Sequence, residues 1–123
     1  PVCYRKGGTE PTVTDAHLVL GHLPPYLLNG SFELDVAGAR KAIEEKIAKP
    51  LGMSVEAAAR GILDVLNNNM VGAIRVVSVE RGLDPRDFVL VPFGGAGPLH
   101  GGDLARLMGC RTRRAFRVGA AGI

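Results

Sequence analysis

The stretch Phe88-Val89-Leu90-Val91-Pro92-Phe93-Gly94-Gly95-Ala96-Gly97-Pro98-Leu99-His100 constrains this chain most. A short apolar run ends in three glycines within four residues, and a proline then opens a helical pattern. Apolar runs of this length bounded by glycine fit a strand buried on both faces, as in a parallel sheet flanked by helices. Gly94, Gly95 and Gly97 carry no Cβ and tolerate positive φ, so a flat ligand can approach the main chain closely. Pro98 suits the first helical position, where a missing N–H costs nothing. The new helix presents N–H groups and partial positive charge toward the loop. Together these parts make a nucleotide shelf; the ordinary alternative, open at this point, is a tight strand-to-helix turn without a ligand. Gly94-Gly95-Ala96-Gly97 does not satisfy the Gly-x-Gly-x-x-Gly dinucleotide pattern, and neither a Walker phosphate loop nor a Gly-x-Ser-x-Gly elbow occurs.

The rest of the chain supplies helices to flank that strand. A length of 123 residues suits one core. Thr12 to Leu20 is expected to hold a short helix, with Thr12 or Thr14 as N-cap and Asp15 in its first turn. Gly21 ends it and Pro24-Pro25 blocks its resumption, while Asn29-Gly30 signals a turn. Asp35 caps a helix expected from Val36 to Lys49, stopped by Pro50 and Gly52. Ser54 caps the longest element, reaching about Arg81 before Gly82. Its stripe is read as Val55, Ala59, Ile62, Leu66, Met70, Ala73 and Val77. At 1.5 Å per residue that helix would extend about 40 Å. Asn67-Asn68-Asn69 lies in its middle: one Asn facing a nucleotide or substrate is the functional reading, and a helix irregularity or solvent-facing patch the preferred one. Leu99 to Met108 is expected to be helical, with Gly101-Gly102 implying close packing or a frayed start. A further strand is expected near residues 115–118, although Arg111, Arg113, Arg114 and Arg117 suit an edge or a disordered end better. The element order points to an α/β fold with a long central helix, one buried strand and flanking helices. Within it, residues 1–34 form a loop-rich leading segment and residues 35–123 the α/β portion of a single fragment.

Charge and cysteine content narrow the setting. A net charge of +3 is too mild to imply nucleic acid. A weaker idea, RNA or phosphate binding through the four tail arginines, would require salt-sensitive binding. Cys3 and Cys110 are too few for a disulfide framework, so a cytoplasmic location is expected. No run is read as reaching the roughly 18 apolar residues of a membrane span. None of His17, His22 and His100 pairs with another His or Cys at a metal-ligand spacing, so no metal site is expected. His100, in the first turn of the glycine-loop helix, could contact a phosphate, a base or a substrate carbonyl, or be a partly exposed helix-start histidine. Asp15 could position a water or a metal; helix-start electrostatics is the ordinary account. With no initiator Met, Pro1-Val2-Cys3-Tyr4 reads as the interior of something longer.

Four blocks in order carry a family resemblance. They are Gly7 to Ala16 (GGTEPTVTDA), Ala73 to Gly82 (AIRVVSVERG), Asp84 to Phe88 (DPRDF) and Phe93 to His100 (FGGAGPLH). With these the chain resembles the hydantoinase A/5-oxoprolinase family of ATP-dependent N-methylhydantoinases, 5-oxoprolinases and acetone carboxylase subunits, over nearly its whole length. The resemblance implies a C-terminal-half fragment of an actin/Hsp70-like, ribonuclease-H-like ATPase domain. It implies ATP and Mg2+ as cofactors of the full-length enzyme, and a hydantoin, N-methylhydantoin or 5-oxoproline ring opened through a phosphorylated amide. Gly94, Gly95, Ala96, Gly97 and Pro98 match the family's adenosine-contacting segment; Asp15 and His100 are catalytic candidates without an assigned step. It further implies a hydantoinase B-type partner subunit or domain, a possible homo-oligomer, and no membrane or nucleic-acid partner. The alternative is a non-catalytic helical interaction module of a hetero-oligomeric carboxylase or hydrolase. Departures accompany the match. The upstream Asp-Gly-Gly-Thr-type phosphate segments are absent, and Gly7-Gly8-Thr9 follows Lys6 instead of an acidic residue. The Arg-rich tail stands where relatives carry an apolar strand. The isolated fragment is therefore expected to be inactive.

Overall fold

In the computed structural model, residues 1–112 are described. Contacts divide the chain into two compact units, and the division falls between Val65 and Leu66. The strand expected near residues 115–118, and Arg113, Arg114 and Arg117, lie outside the described residues.

The first unit runs from a 3-10 turn at Val2–Tyr4 through α1 (Val13–Val19), β1 (Tyr26–Leu27), β2 (Phe32–Glu33), α2 (Val36–Ile43) and α3 (Lys49–Leu51) into the start of α4 (Val55–Val77). Thr12, not Thr14, is the N-cap of α1 and forms a capping box with Asp15. The strands β1 and β2 pair antiparallel, Tyr26 against Glu33 and Leu27 against Phe32. Only the turn of this hairpin is expected from sequence. It is tight because Leu28, Asn29 and Gly30 all take left-handed φ, at 52°, 56° and 93°; Asn and Gly tolerate that region, and two-residue strands carry too little alternation to be read.

Between Val36 and Leu51 the helical path is not uniform as expected. It widens into a π turn over Glu44–Ala48 before α3, and ends at Gly52 with φ 64°. Pro50 does not stop the helix; it sits in its last turn. Having no N–H and a ring that crowds the carbonyl four residues back, it is accommodated by the wider turn preceding it. The core of this unit joins Ala16 of α1, Ile43 of α2, Ala48, and Ala58, Ala59 and Leu63 of α4. A second cluster packs Cys3, Leu18, Leu34 and Ala39.

Ser54 starts α4, its Oγ accepting from the Ala57 N–H at 3.1 Å. Ser54→Ala is expected to cost about 1 kcal/mol, read as a lowered denaturation midpoint of the full-length protein. The helix ends at Val77, short of Arg81. Ser78 leaves helical geometry, with φ −122° and ψ −83°, and its hydroxyl donates to the Ile74 carbonyl at 2.8 Å. A 3-10 turn at Val79–Arg81 and Gly82 in the left-handed region (φ 77°) complete the stop. The buried line on α4 is Ala59, Leu63, Asn67 and Val71, four residues apart, and shares only Ala59 with the expected stripe. The expected stripe followed apolar residues alone, whereas the true line includes a polar one.

By length and composition, Val55–Arg81 is apolar enough to cross a membrane, which corrects the expectation that no run reaches such a span. Its inward line is nevertheless used within protein, in the first unit's core at Ala58, Ala59 and Leu63 and in a hydrogen-bonded contact at Asn67.

In the second unit, Asp84 accepts from the Arg86 N–H at 2.9 Å to start a 3-10 turn at Pro85–Asp87. Then come β3 (Val89–Leu90), α5 (Gly97–Met108) and β4 (Arg111–Thr112). The two strands pair in parallel, Val89 with Arg111 and Leu90 with Thr112, so β3, α5 and β4 make one βαβ unit, as expected for a parallel sheet. Burial of β3 on both faces is not found. Phe88, Val89, Val91 and Phe93 are all exposed, Phe93 by 84%, because among the described residues β3 has a single two-residue neighbour.

Candidate functional site

The corner between β3 and α5 is built from backbone. Gly94 takes φ 81°, and a Cβ added there would meet nothing within 4 Å. Phe93, Gly94, Gly95 and Ala96 are exposed, so no side chain plugs the turn. Ala96 is the N-cap of α5 and supplies no side-chain cap, and Pro98 occupies the first helical turn. Pro98 has no N–H and the Leu99 N–H donates to the Ala96 carbonyl at 3.0 Å, so the start of this 12-residue helix carries its dipole with no capping side chain. On its other side, α5 lies close to the end of β3. A Cβ on Gly101 would fall 2.5 Å from Pro92 Cγ, whereas one on Gly102 would meet nothing within 4 Å. Of the two expected readings for this glycine pair, close packing holds at Gly101.

His100 follows directly. It is buried on the inner side of α5's first turn, not partly exposed. Its Nδ1 lies 3.2 Å from Oδ1 of Asn67, itself buried on α4. The Asn67 Nδ2 donates to Oδ2 of Asp103 at 3.3 Å, and Arg106 donates from Nη2 to Oδ1 of Asp103 at 2.9 Å. Burial pushes the His100 imidazole below its ordinary value of 6.5, against the opposing pull of the Asp103 carboxylate. The solvent-facing reading of the asparagine run is thus overturned at Asn67, while Asn68 and Asn69 are exposed. The phase of Ala59, Leu63 and Asn67 was the signal available in the sequence. Asp103 had no such signal, since its role depends on two helices meeting.

Gly94, Gly95, Ala96, Gly97, Pro98 and His100 therefore share one corner of the second unit. Asp15 belongs to the first unit and is wholly buried. Its Oδ1 accepts from the Cys3 N–H at 2.8 Å. Its Oδ2 accepts from the Val2 N–H at 3.1 Å, and from the Thr12 N–H at 2.8 Å and hydroxyl at 3.0 Å. Burial raises the Asp15 carboxyl, but the donors from Cys3, Thr12 and Val2 outweigh it and hold the group below its ordinary 3.8. The neighbouring Cys3 thiol is pushed up to about 12 by burial first and then by the Asp15 carboxylate, so it stays protonated and inert. Both Asp15 oxygens serve the fold, an arrangement of anchor rather than of water or metal ligand.

Two further features complete the inventory. His17 and His22 do pair, Nδ1 to Nδ1 at 3.0 Å, because the turn after α1 brings the His22 N–H to the His17 carbonyl at 2.9 Å. Among the described residues no group of three His, Cys, Asp or Glu is placed to hold a metal ion. A cavity of about 90 Å³ in the second unit is lined by Ile74, Phe88, Met108 and Cys110, away from the glycine turn.

Residues 1–121 match the hydantoinase/oxoprolinase family. The chain belongs to that family. Among relatives of this hydantoinase/oxoprolinase chain is the caprolactamase subunit alpha of Pseudomonas jessenii, 55% identical over 113 residues, which cover 91% of this chain and 16% of that subunit. Another is the acetophenone carboxylase gamma subunit of Aromatoleum aromaticum, 52% identical over 81% of this chain and 14% of the relative. The crystal structure of the ATP-dependent caprolactamase from Pseudomonas jessenii superposes with a TM-score of 0.83 at 56% identity, covering 89% of this chain and 16% of that one. This chain thus spans about a sixth of the length of such relatives, whose names include both amide-hydrolysing and carboxylating enzymes.

Proposed function

We propose that this hydantoinase/oxoprolinase chain supplies the adenosine-side wall of the nucleotide cleft in an ATP-dependent enzyme that opens cyclic amides. The observation that carries this reading is the bare corner: Gly94 at φ 81° with open space beside its Cα, leading into an uncapped α5. The flat adenosine would lie against Gly94, Gly95, Ala96, Gly97 and Pro98, with no side chain to displace. Kinship with an ATP-dependent caprolactamase supports both the nucleotide and the amide, and the β3–α5–β4 unit accords with an actin/Hsp70-like ATPase fold. ATP supplies, when bound with Mg2+, the phosphoryl group that makes an amide oxygen a good leaving group. This chain's own residues bind and orient: the glycine corner sets the nucleotide's position, and Asn67 and Asp103 steady His100 beside it. The acidic groups that would hold Mg2+ are expected on other segments of a complete enzyme. Relatives are named as subunits, so a hydantoinase B-type partner is part of the proposal, as is a cytoplasmic location, with which the free thiols of Cys3 and Cys110 accord.

The test is steady-state turnover of the full-length protein with hydantoin, 5-oxoproline and caprolactam, each with and without ATP. Turnover of any of them without nucleotide would sink the reading. Gly94→Val adds a β-branched side chain at a left-handed position, costing about 1–2 kcal/mol in strain, and fills the space beside the turn. It is expected to raise KM for ATP at least about tenfold, equivalent to about 1.4 kcal/mol, with a smaller effect on KM for the amide.

A further inference from the structure

Beside the hairpin of β1 and β2 lies a shallow groove of about 250 Å³, all of it in the first unit. Its apolar floor is Leu27 and Phe32, both packed against the core cluster of Cys3, Leu18, Leu34 and Ala39. Tyr4 stands edge-on to Phe32, with ring centres 5.7 Å apart and planes at 81°. Lys6 and Leu28 complete the lining, and both are exposed. The Lys6 Nζ lies 5.7 Å from the centre of the Phe32 ring, an aromatic face that steadies a cation without neutralising it. Its neighbour Arg5 is matched by Asp35 at 3.6 Å. Among the described residues no carboxylate pairs with Lys6, and no group hydrogen-bonds the Tyr4 hydroxyl. Two residues at this groove also hold left-handed backbone, Arg5 at φ 54° and Leu28 at φ 52°. Side chains of that bulk rarely adopt it. Strain of this kind persists where the surrounding structure holds it, and it gathers at binding sites. Here it fixes the residue just before Lys6, and it presents Leu28 at the groove with 56% of its surface in water.

We infer that this groove anchors a partner subunit, by a segment in which an aspartate or glutamate stands beside a leucine or an aromatic residue. The apolar side chain covers Phe32 and Leu28, and the carboxylate meets the Lys6 ammonium and the Tyr4 hydroxyl. Charge complementarity sets that choice. A cation with no carboxylate of its own, over an apolar floor, is matched by an anion carried on an apolar body. A small molecule suits the groove less, because none of its five lining residues is buried and such a ligand would stay largely wet. A space of this size takes one or two side chains, the scale of a hot spot within a larger interface. The inference rests on the partner subunit of the function proposed above, with relatives named as subunits; the place and the chemistry of docking go beyond it.

The test is carbodiimide coupling of the full-length protein in the complex purified from cells, followed by mass spectrometry of the joined peptides. The reagent links an amine to a carboxylate without a spacer, so only touching pairs are joined. Lys6 is expected to be joined to an aspartate or glutamate of the partner that stands beside a leucine or aromatic residue. Lys6→Glu is expected to weaken association at least about tenfold. Replacing the identified partner carboxylate by lysine should restore most of that loss, which a merely structural lysine would not allow. Leu28→Asn suits the left-handed backbone, so it should fold as well as the wild type and still weaken association. Coupling of Lys6 to its own polypeptide overturns the inference, as does a Lys6 that amine reagents reach freely in the complex. So does a preparation without a second subunit, or association unmoved by Lys6→Glu and Leu28→Asn. Turnover is measured on the same preparation. Turnover without nucleotide, with Lys6 joined to the partner, counts against the nucleotide reading alone; ATP-dependent turnover with Lys6 unjoined counts against this inference alone.

Discussion

Asp15→Ala is expected to release the N-terminal segment and destabilise the first unit by about 3–5 kcal/mol. The carboxylate is wholly buried and accepts from three backbone N–H groups and one hydroxyl. Removing it takes the acceptor from the buried N–H of Cys3 and from the half-buried N–H groups of Val2 and Thr12, and the buried donor carries the full desolvation cost. Stability of whole domains is about 5–15 kcal/mol, so this one change takes a large share. Cys3 reports the effect, because its thiol is wholly buried, pushed up to about 12, and held beside Asp15. In the full-length protein, labelling of Cys3 by a thiol reagent should be about a hundredfold or more faster in the variant, the counterpart of 3 kcal/mol in the opening equilibrium. An unchanged labelling rate would show that something else anchors the segment. The pH dependence follows from the direction of the shift. The folded-state value is depressed, so the stabilisation is complete above the ordinary value of 3.8 and is lost as pH falls through the lower folded value. Pepsin, active in that acid range, should cut the N-terminal segment there and spare it above; Asp15→Ala should erase the difference.

How far the sequence could be read varies with how local each cause is. The caps at Thr12, Asp35 and Ser54 and the stops at Gly52 and Gly109 depend on a few neighbouring residues and are found where the sequence puts them, whereas the long helix ends at Val77 and Gly82 closes the 3-10 turn after it. The apolar run before the glycine corner is equally plain, and its parallel pairing follows from the intervening helix. The exposure of Phe88, Val89, Val91 and Phe93 could not be read there, since apolar composition records what a strand can bury and not what is present to bury it. At the site the division is the same. Gly94 to Pro98 and His100 stand together in sequence and share one corner in space. Asn67 and Asp103 are 36 residues apart, on helices whose meeting no local pattern encodes. Reading α4 by apolar residues alone moved the buried line off Asn67, because a polar side chain with its hydrogen bonds met packs inward as readily as leucine. Asp15 shows the converse, a residue suited to catalysis whose chemistry is spent on folding.

Substitutions at two adjacent glycines of α5 should have opposite signs. At Gly102 an added Cβ meets nothing within 4 Å, so Gly102→Ala is expected to stabilise by about 0.5–1 kcal/mol, the intrinsic helical advantage of alanine. At Gly101 the same atom would lie 2.5 Å from Pro92 Cγ and 2.9 Å from Pro92 Cβ. A flexible side chain would swing away, but a proline ring is closed onto its own backbone and cannot. The start of α5 must move instead, and overpacking of this kind costs about 1–3 kcal/mol, more for valine than for alanine. The displacement also reaches the next residue along, pulling His100 from its 3.2 Å contact with Asn67, so Gly101→Val should lower turnover as well as the denaturation midpoint of the full-length protein. Pro92→Ala supplies the control. If the clash is with that ring, the double variant Pro92→Ala/Gly101→Ala should recover most of the loss, a coupling of about 1–2 kcal/mol between touching sites. Equal effects of alanine at 101 and 102, or strict additivity with Pro92→Ala, would mean that α5 does not owe its position to this contact, and the glycine corner would then be held open by the turn alone.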